Sequence, residues 1–193
     1  VYQLTEDTII KVFREGTPLS EVQKEITLAK EAFVFGLPTA ISFELVRVGN
    51  QYGIIHELIN AKTLASIINE DPAKAEYYGA KLGKLIKQVH QIKDEKHILP
   101  DAVEETHSKI ETLRRYFTDK QIDMLYEIYD AIPSGNSVLH CDLHPKNVMV
   151  SNGELILIDM GEVCYGNPLQ DIAHTFSSMK GLVGNYEEII GMS

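Results

Sequence analysis

His140-Cys141-Asp142-Leu143-His144-Pro145-Lys146-Asn147 leads into Val148-Met149-Val150, a Ser151-Asn152-Gly153 turn, Leu155-Ile156-Leu157-Ile158, and then Asp159-Met160-Gly161. Two short apolar runs, rich in β-branched residues and divided by an Asn-Gly turn, predict a β-hairpin. The two ends of a hairpin lie together, so Asn147 before it and Asp159 after it stand side by side at its mouth. Asp142 precedes Asn147 by five residues. One short stretch thus holds three oxygen-bearing side chains.

Working outward, residues 1–14 predict a hairpin: Val1-Tyr2-Gln3-Leu4, the turn Thr5-Glu6-Asp7, then Thr8-Ile9-Ile10-Lys11-Val12-Phe13. Lys11 is an oddity inside an apolar strand. Thr17-Pro18 opens a predicted helix over 17–35, with Ser20 to Gln23 as an alternative capping box. Val22, Ile26, Ala29 and Phe33 recur at helical spacing, and Glu25 shares their face. An acid on an apolar stripe calls for a partner or for water. Gly36-Leu37-Pro38 ends this helix, and strands follow over 41–48 and 52–59. Beyond them 62–69, 73–93 and 104–131 are helical by pattern, with Ala80, Leu82, Leu85, Ile86 and Val89 on one face of the second. The expected class is α+β with two lobes. Residues 1–59 form a small antiparallel sheet with one helix, and residues 60–193 a larger, mainly helical lobe.

Composition sets limits. Of 193 residues 44% are hydrophobic and 24% charged, enough apolar surface for a globular core. The net charge of −10 argues against non-specific binding to nucleic acid or anionic membrane. No apolar run is long enough to span a bilayer. Two cysteines make no disulfide framework, so a reducing cytoplasm is the expected setting and Cys164 reads as a small apolar residue. The chain opens inside a strand-like run at Val1. It stops within an apolar helical pattern, Tyr186 to Met192, so sequence is expected to be missing at both ends.

His140-x-Asp142-x-x-x-x-Asn147 has the spacing of a kinase catalytic loop, and chance gives roughly 0.015 occurrences in a chain of this composition. With the strand and Asp-x-Gly that follow, the sequence resembles the aminoglycoside phosphotransferase and choline-kinase-like group of small-molecule kinases, within the protein-kinase-like fold. The likeness runs through nearly the whole chain. It includes Lys11 as the strand lysine, Glu25 as its helix partner, His56-Glu57-Leu58-Ile59 as the interlobe hinge, and Asp171 as a later brace of the catalytic loop. Val1-Tyr2 resembles the strand just after the Gly-rich phosphate loop, which is therefore expected to be missing. The resemblance implies an ATP- and Mg²⁺-dependent transfer of the γ-phosphate to a hydroxyl of a small molecule. Asp142 would be the catalytic base, and Asn147 and Asp159 the metal ligands. Lys11, held by Glu25, would bind phosphates. The backbone of Glu57 and Ile59 would pair with adenine, over a floor of Met149 and Ile158. His140 would be structural, and His144 would either approach the γ-phosphate or brace the loop.

Other readings compete. His140, Cys141, Asp142 and His144 offer zinc-type ligands, but no distant Cys/His pair completes a site. Cys141 beside His140 lacks an oxyanion-hole motif. His56, His90, His97, His107 and His174 follow no pattern, so core or surface roles are expected. A protein kinase is disfavoured: Cys141 stands where regulated kinases often carry Arg, and only twelve positions separate Asp159 from Asp171, without Ala-Pro-Glu between. A non-catalytic nucleotide-binding module is opposed by the intact Asp142, Asn147 and Asp159 set. Asp101, Glu104, Glu105 and Glu162 suggest a cationic acceptor, an aminoglycoside or amino-alcohol, although such acids usually form a solvated face. No protein partner is evident.

Overall fold

A computed structural model describes residues 1–180 of the chain. The sheet of the first lobe has the order β1-β2-β4-β3, built from β1 Tyr2–Gln3, β2 Thr8–Val12, β3 Ser42–Val48 and β4 Gln51–Glu57. All its pairings are antiparallel, and Lys11 lies opposite Ile54. Helix α1, Leu19–Val34, begins after Pro18, which serves as the N-cap without a side-chain hydrogen bond. Neither the Thr17 cap nor the Ser20 capping box forms. Proline has no N–H to satisfy, so a helix can start directly after it.

Helix α1 is buried against both lobes. Val22 and Ile26 pack with Ile54 beneath the sheet. Leu28, Ala29 and Ala32 join the main core with Leu64, Leu82, Val148, Leu157 and Met160. Two backbone contacts add to this seam: Leu157 donates to Pro38 O at 2.7 Å, and Thr39 forms a parallel bridge with Leu157.

The predicted helix over 62–69 begins instead as strand β5, Lys62–Thr63, which pairs with the functional hairpin before α2 continues over Leu64–Glu70. Thr63 accepts from the Ser66 amide, and that cap sets the strand-to-helix switch. The segment 73–93 starts as a single 3₁₀ turn, Pro72–Lys74, and becomes α3, Ala75–Gln91. The segment 104–131 is not continuous. Asp101 caps α4, Ala102–Thr112, and a capping box between Thr118 and Gln121 restarts the chain as α5, Asp119–Asp130.

Strand β6, Ser137–Leu139, precedes the decisive stretch. The predicted hairpin is present as β7 Val148–Ser151 and β8 Glu154–Leu157. Strand β9, Cys164–Gly166, returns antiparallel to β6, and α6, Pro168–Lys180, follows. The expected helical pattern from Tyr186 to Met192 lies outside the described residues. Among the described residues no helix is long and apolar enough to cross a membrane.

Leu157 is 1% exposed and belongs to both the hairpin and the seam. Leu157→Ala is expected to lose about 2–5 kcal/mol in urea unfolding with an unchanged denaturant slope. A loss below about 1 kcal/mol would show that the seam is not packed core.

Candidate functional site

The segment leaving β6 is fixed from behind. His140 is fully buried; its Nδ1 accepts from the Asp142 amide at 3.3 Å, so the neutral ring carries its proton on Nε2, which donates to Ile158 O at 3.2 Å. Burial holds the His140 pKa below its ordinary value, against the pull of Asp171 and nearby acids, which matches a neutral ring. Asp171 of α6 accepts the amides of His140 and Cys141 at 3.2 and 2.9 Å. His90 Nε2, on α3, donates to the same carboxylate at 2.9 Å. Burial alone would raise the Asp171 pKa, but the hydrogen bond from His90 and those from the His140 and Cys141 amides bring it below the usual carboxylate value.

This clamp positions the polar front. Asn147 Nδ2 donates to Asp142 O at 2.9 Å and to Asp142 Oδ2 at 3.0 Å. Both amide protons of Asn147 are thereby engaged, leaving Oδ1 as its remaining polar atom. Ile158 N donates to Asn147 O, which puts the two hairpin ends together. His144 Nδ1 accepts the Lys146 amide at 3.3 Å, and its Nε2 stands 3.9 Å from Asp142 Oδ1.

Asp159 has φ = 64° and Cys141 φ = 63°, left-handed conformations that non-glycine residues adopt at a cost and that cluster in functional sites. Lys11 Nζ reaches Asp159 Oδ1 at 2.9 Å and Glu25 Oε1 at 2.7 Å. A Cβ on Gly161 would come within 3.1 Å of Glu25 Cγ, so the absence of a side chain there lets α1 bring Glu25 close. Burial would lower the Lys11 pKa, but Asp159 and Glu25 together hold it above the ordinary lysine value. Burial pushes the Glu25 carboxyl up, and Lys11 offsets that only in part. The strand lysine and the inward acid therefore explain each other.

A cavity of about 420 Å³ opens beside this trio, lined by Lys11, Glu25, Glu57, Ile59, Met149, Ile158 and Asp159 among others. Asp142, Asn147 and His144 lie outside its walls. Leu58 donates its amide to Asp7 O, whereas the Ile59 amide donates to no backbone carbonyl among the described residues.

The model of a phosphotransferase enzyme family matches residues 1–189. The chain belongs to that family. Solved structures share its fold. An aminoglycoside-3'-phosphotransferase of type VIII has TM-score 0.66 at 18% identity, over 88% of this chain and 68% of that one. A Streptomyces rimosus aminoglycoside phosphotransferase, solved with ADP and streptomycin, has 0.70 at 12% identity, over 95% and 75%. A choline/ethanolamine kinase family protein from Mesorhizobium loti has 0.58 at 12% identity, over 98% and 66%. No curated protein matches the chain significantly. The architecture expected from the sequence, an antiparallel-sheet part followed by a mainly helical part, is thus a fold shared with aminoglycoside phosphotransferases, and the chain's family is one of phosphotransferase enzymes.

Three expectations change in detail. Cys164 is buried beside Ala102 and Leu139, as a small apolar residue would be, but its sulfur lies against that of Cys141. The β6–β9 pairing sets Leu139 opposite Cys164, and the left-handed turn at Cys141 brings the second sulfur over it. Composition held no signal for this contact. The acids offered as a cationic acceptor surface are largely engaged: Asp101 caps α4, Glu105 pairs with Lys24 at 2.8 Å, and Glu162 with Lys109 at 2.5 Å. His90 and His56, for which core or surface roles were expected, contact Asp171 and the cavity respectively. Long-range packing determines both, and local periodicity carries no trace of it.

The folded pKa of Asp171 lies below its unfolded value of about 4, so its contribution to stability is present above that pH and is lost as pH falls through the folded value. For His140, with a folded value below about 6.5, stability falls as the unfolded chain takes up a proton below that pH. In urea unfolding from pH 7 to 3, Asp171→Asn is expected to keep the decline that begins near pH 6.5 and to flatten the decline below about pH 4. An unchanged acid limb would remove Asp171 from its assigned place.

Proposed function

We propose that this phosphotransferase moves the γ-phosphate of ATP to a hydroxyl of a small molecule, with Mg²⁺ as cofactor. The observation that carries this reading is the Lys11 ammonium held between Glu25 and Asp159 at the wall of a nucleotide-sized cavity. With the lobes taken to divide at residues 59–60, the cavity draws its lining from both. The adenine ring enters between Ile9 on one side and Met149 and Ile158 on the other, with its edge toward the backbone of Glu57 and the Ile59 amide. Lys11 exchanges its contact with Asp159 for the α- and β-phosphates while Glu25 keeps it aligned.

The donor set fits a hard cation. Asp159 supplies a carboxylate and Asn147 the oxygen left over from its bonds to Asp142. Among the described residues there is no cluster of three or more His, Cys, Asp or Glu able to hold a metal, so phosphate oxygens would complete the shell, as Mg²⁺ sites beside nucleotides require. Bound there, Mg²⁺ neutralises charge that develops on the phosphates.

Asp142 orients the acceptor hydroxyl and receives its proton. As the acceptor oxygen bonds to the γ-phosphorus, the bond from that phosphorus to the β-bridging oxygen breaks and ADP leaves. Little covalent help is needed, so positioning and charge neutralisation supply most of the catalysis. Asn147 holds the Asp142 carboxylate in place. His144 acts as a brace, since its Nδ1 accepts a loop amide. The acceptor is an aminoglycoside, an amino-alcohol or a similar hydroxyl compound. Two of the fold relatives were solved with streptomycin. The enzyme works in the cytoplasm, where its nucleotide is available.

Asp142→Ala is expected to lower kcat by about 10²–10⁴-fold while leaving the Kd for ADP with Mg²⁺ within about threefold of wild type. The assay couples nucleotide consumption to a panel of aminoglycosides, amino-alcohols, sugars and nucleosides. An unchanged rate in the variant would discard Asp142 as the base. Tight nucleotide binding without turnover on any acceptor would favour a binding module.

A further inference from the structure

The reading above leaves one half-buried titratable side chain on the cavity wall without a role. His56 is the first residue of the hinge segment, on β4, opposite Ile9 of β2 and Ser42 of β3. Alternate residues of a strand share a face, so His56 lies on the same face as Ile54, and its cross-strand partner Ile9 on the same face as Lys11. His56, Ile9, Lys11 and Ser42 all line the cavity. His56 Nδ1 is 2.9 Å from Ser42 Oγ, and among the described residues no protein group bonds its Nε2.

Burial and the nearby Lys11 charge lower the ring's pKa to about 4, against the pull of Asp159. The ring is therefore neutral at physiological pH, with one nitrogen a donor and the other an acceptor. A neutral imidazole has little attraction for phosphate, and the phosphate end of the cavity already has Lys11. The wall between that lysine and the hinge is mostly apolar, and one polar group on such a wall fixes the orientation of what lies against it.

We propose that His56 is a specificity-determining residue of the nucleotide pocket, whose Nε2 hydrogen-bonds the substituent at the six-position of a bound purine. This rests on the nucleotide reading under Proposed function. The Ser42 hydroxyl both donates and accepts, so it sets no fixed tautomer. When the hydroxyl donates to Nδ1, Nε2–H is a donor and suits the six-keto oxygen of guanine. When Nδ1–H donates to Ser42 Oγ, Nε2 is an acceptor and suits the six-amino group of adenine. A reader of this kind accepts both bases and rejects a purine that has only hydrogen at that position.

The test is calorimetric titration of the full chain with ADP, GDP and purine riboside 5'-diphosphate, each with Mg²⁺. Wild type is expected to bind ADP and GDP within about tenfold of one another, and both about tenfold more tightly than the purine riboside compound, the ratio expected for one hydrogen bond. His56→Leu is expected to reduce that preference to about twofold or less, while its affinity for the purine riboside compound stays within about threefold of wild type. A wild-type preference below about threefold overturns the proposal without recourse to any variant. A tenfold preference that survives in His56→Leu overturns it as well, and leaves the phosphotransferase reading intact. Failure of the wild-type chain to bind any of the three diphosphates overturns both.

Discussion

One ammonium group holds the site together. Lys11 Nζ sits between the carboxylates of Glu25 and Asp159, and through them it ties a strand, a helix and the segment after the β7–β8 hairpin. Lys11 and Asp159 are 148 residues apart in sequence. The trio is partly solvated, so its contribution to stability is modest; its value lies in geometry. Two acids without the lysine would repel each other across the cleft. A lysine without the acids would have no fixed direction. One ammonium against two carboxylates leaves the trio with a net charge of −1 when all three are ionised.

The rest of the structure arranges for that contact to occur. Helix α1 must come within reach of the Asp-x-Gly segment, and Gly161 allows it because a side chain there would press on Glu25. Asp159 must turn its carboxylate toward the cleft, and it does so in a left-handed conformation. Behind it, Asp171 gathers two loop amides and His90, while His140 ties the same loop to the hairpin through Ile158 O. A buried carboxylate with these donors is well satisfied, and a satisfied network of this kind specifies one arrangement of the loop.

What the sequence made legible follows the range of the forces involved. The hairpin around Asn152-Gly153 could be read because turn chemistry and apolar alternation act over a few residues. The lysine and the inward glutamate were visible as violations of local patterning, and each violation turned out to mark a long-range partner. The break between α4 and α5 was missed because a cap competes with a periodic pattern that continues through it. The strand at Lys62–Thr63 was missed because its partner, β7, is nearly ninety residues away. The sulfur contact of Cys141 with Cys164, and the places of His56 and His90, depend wholly on tertiary packing. Neither spacing nor composition carries that information.

Helix α1 contributes Val22 and Ile26 to one core and Leu28, Ala29 and Ala32 to another. A rod wedged between two bodies cannot follow one without displacing the other. The seat of the rod is thus fixed from two sides, and Glu25 rides on its middle. The Glu25–Lys11 distance is therefore set by how this rod is seated in both cores at once.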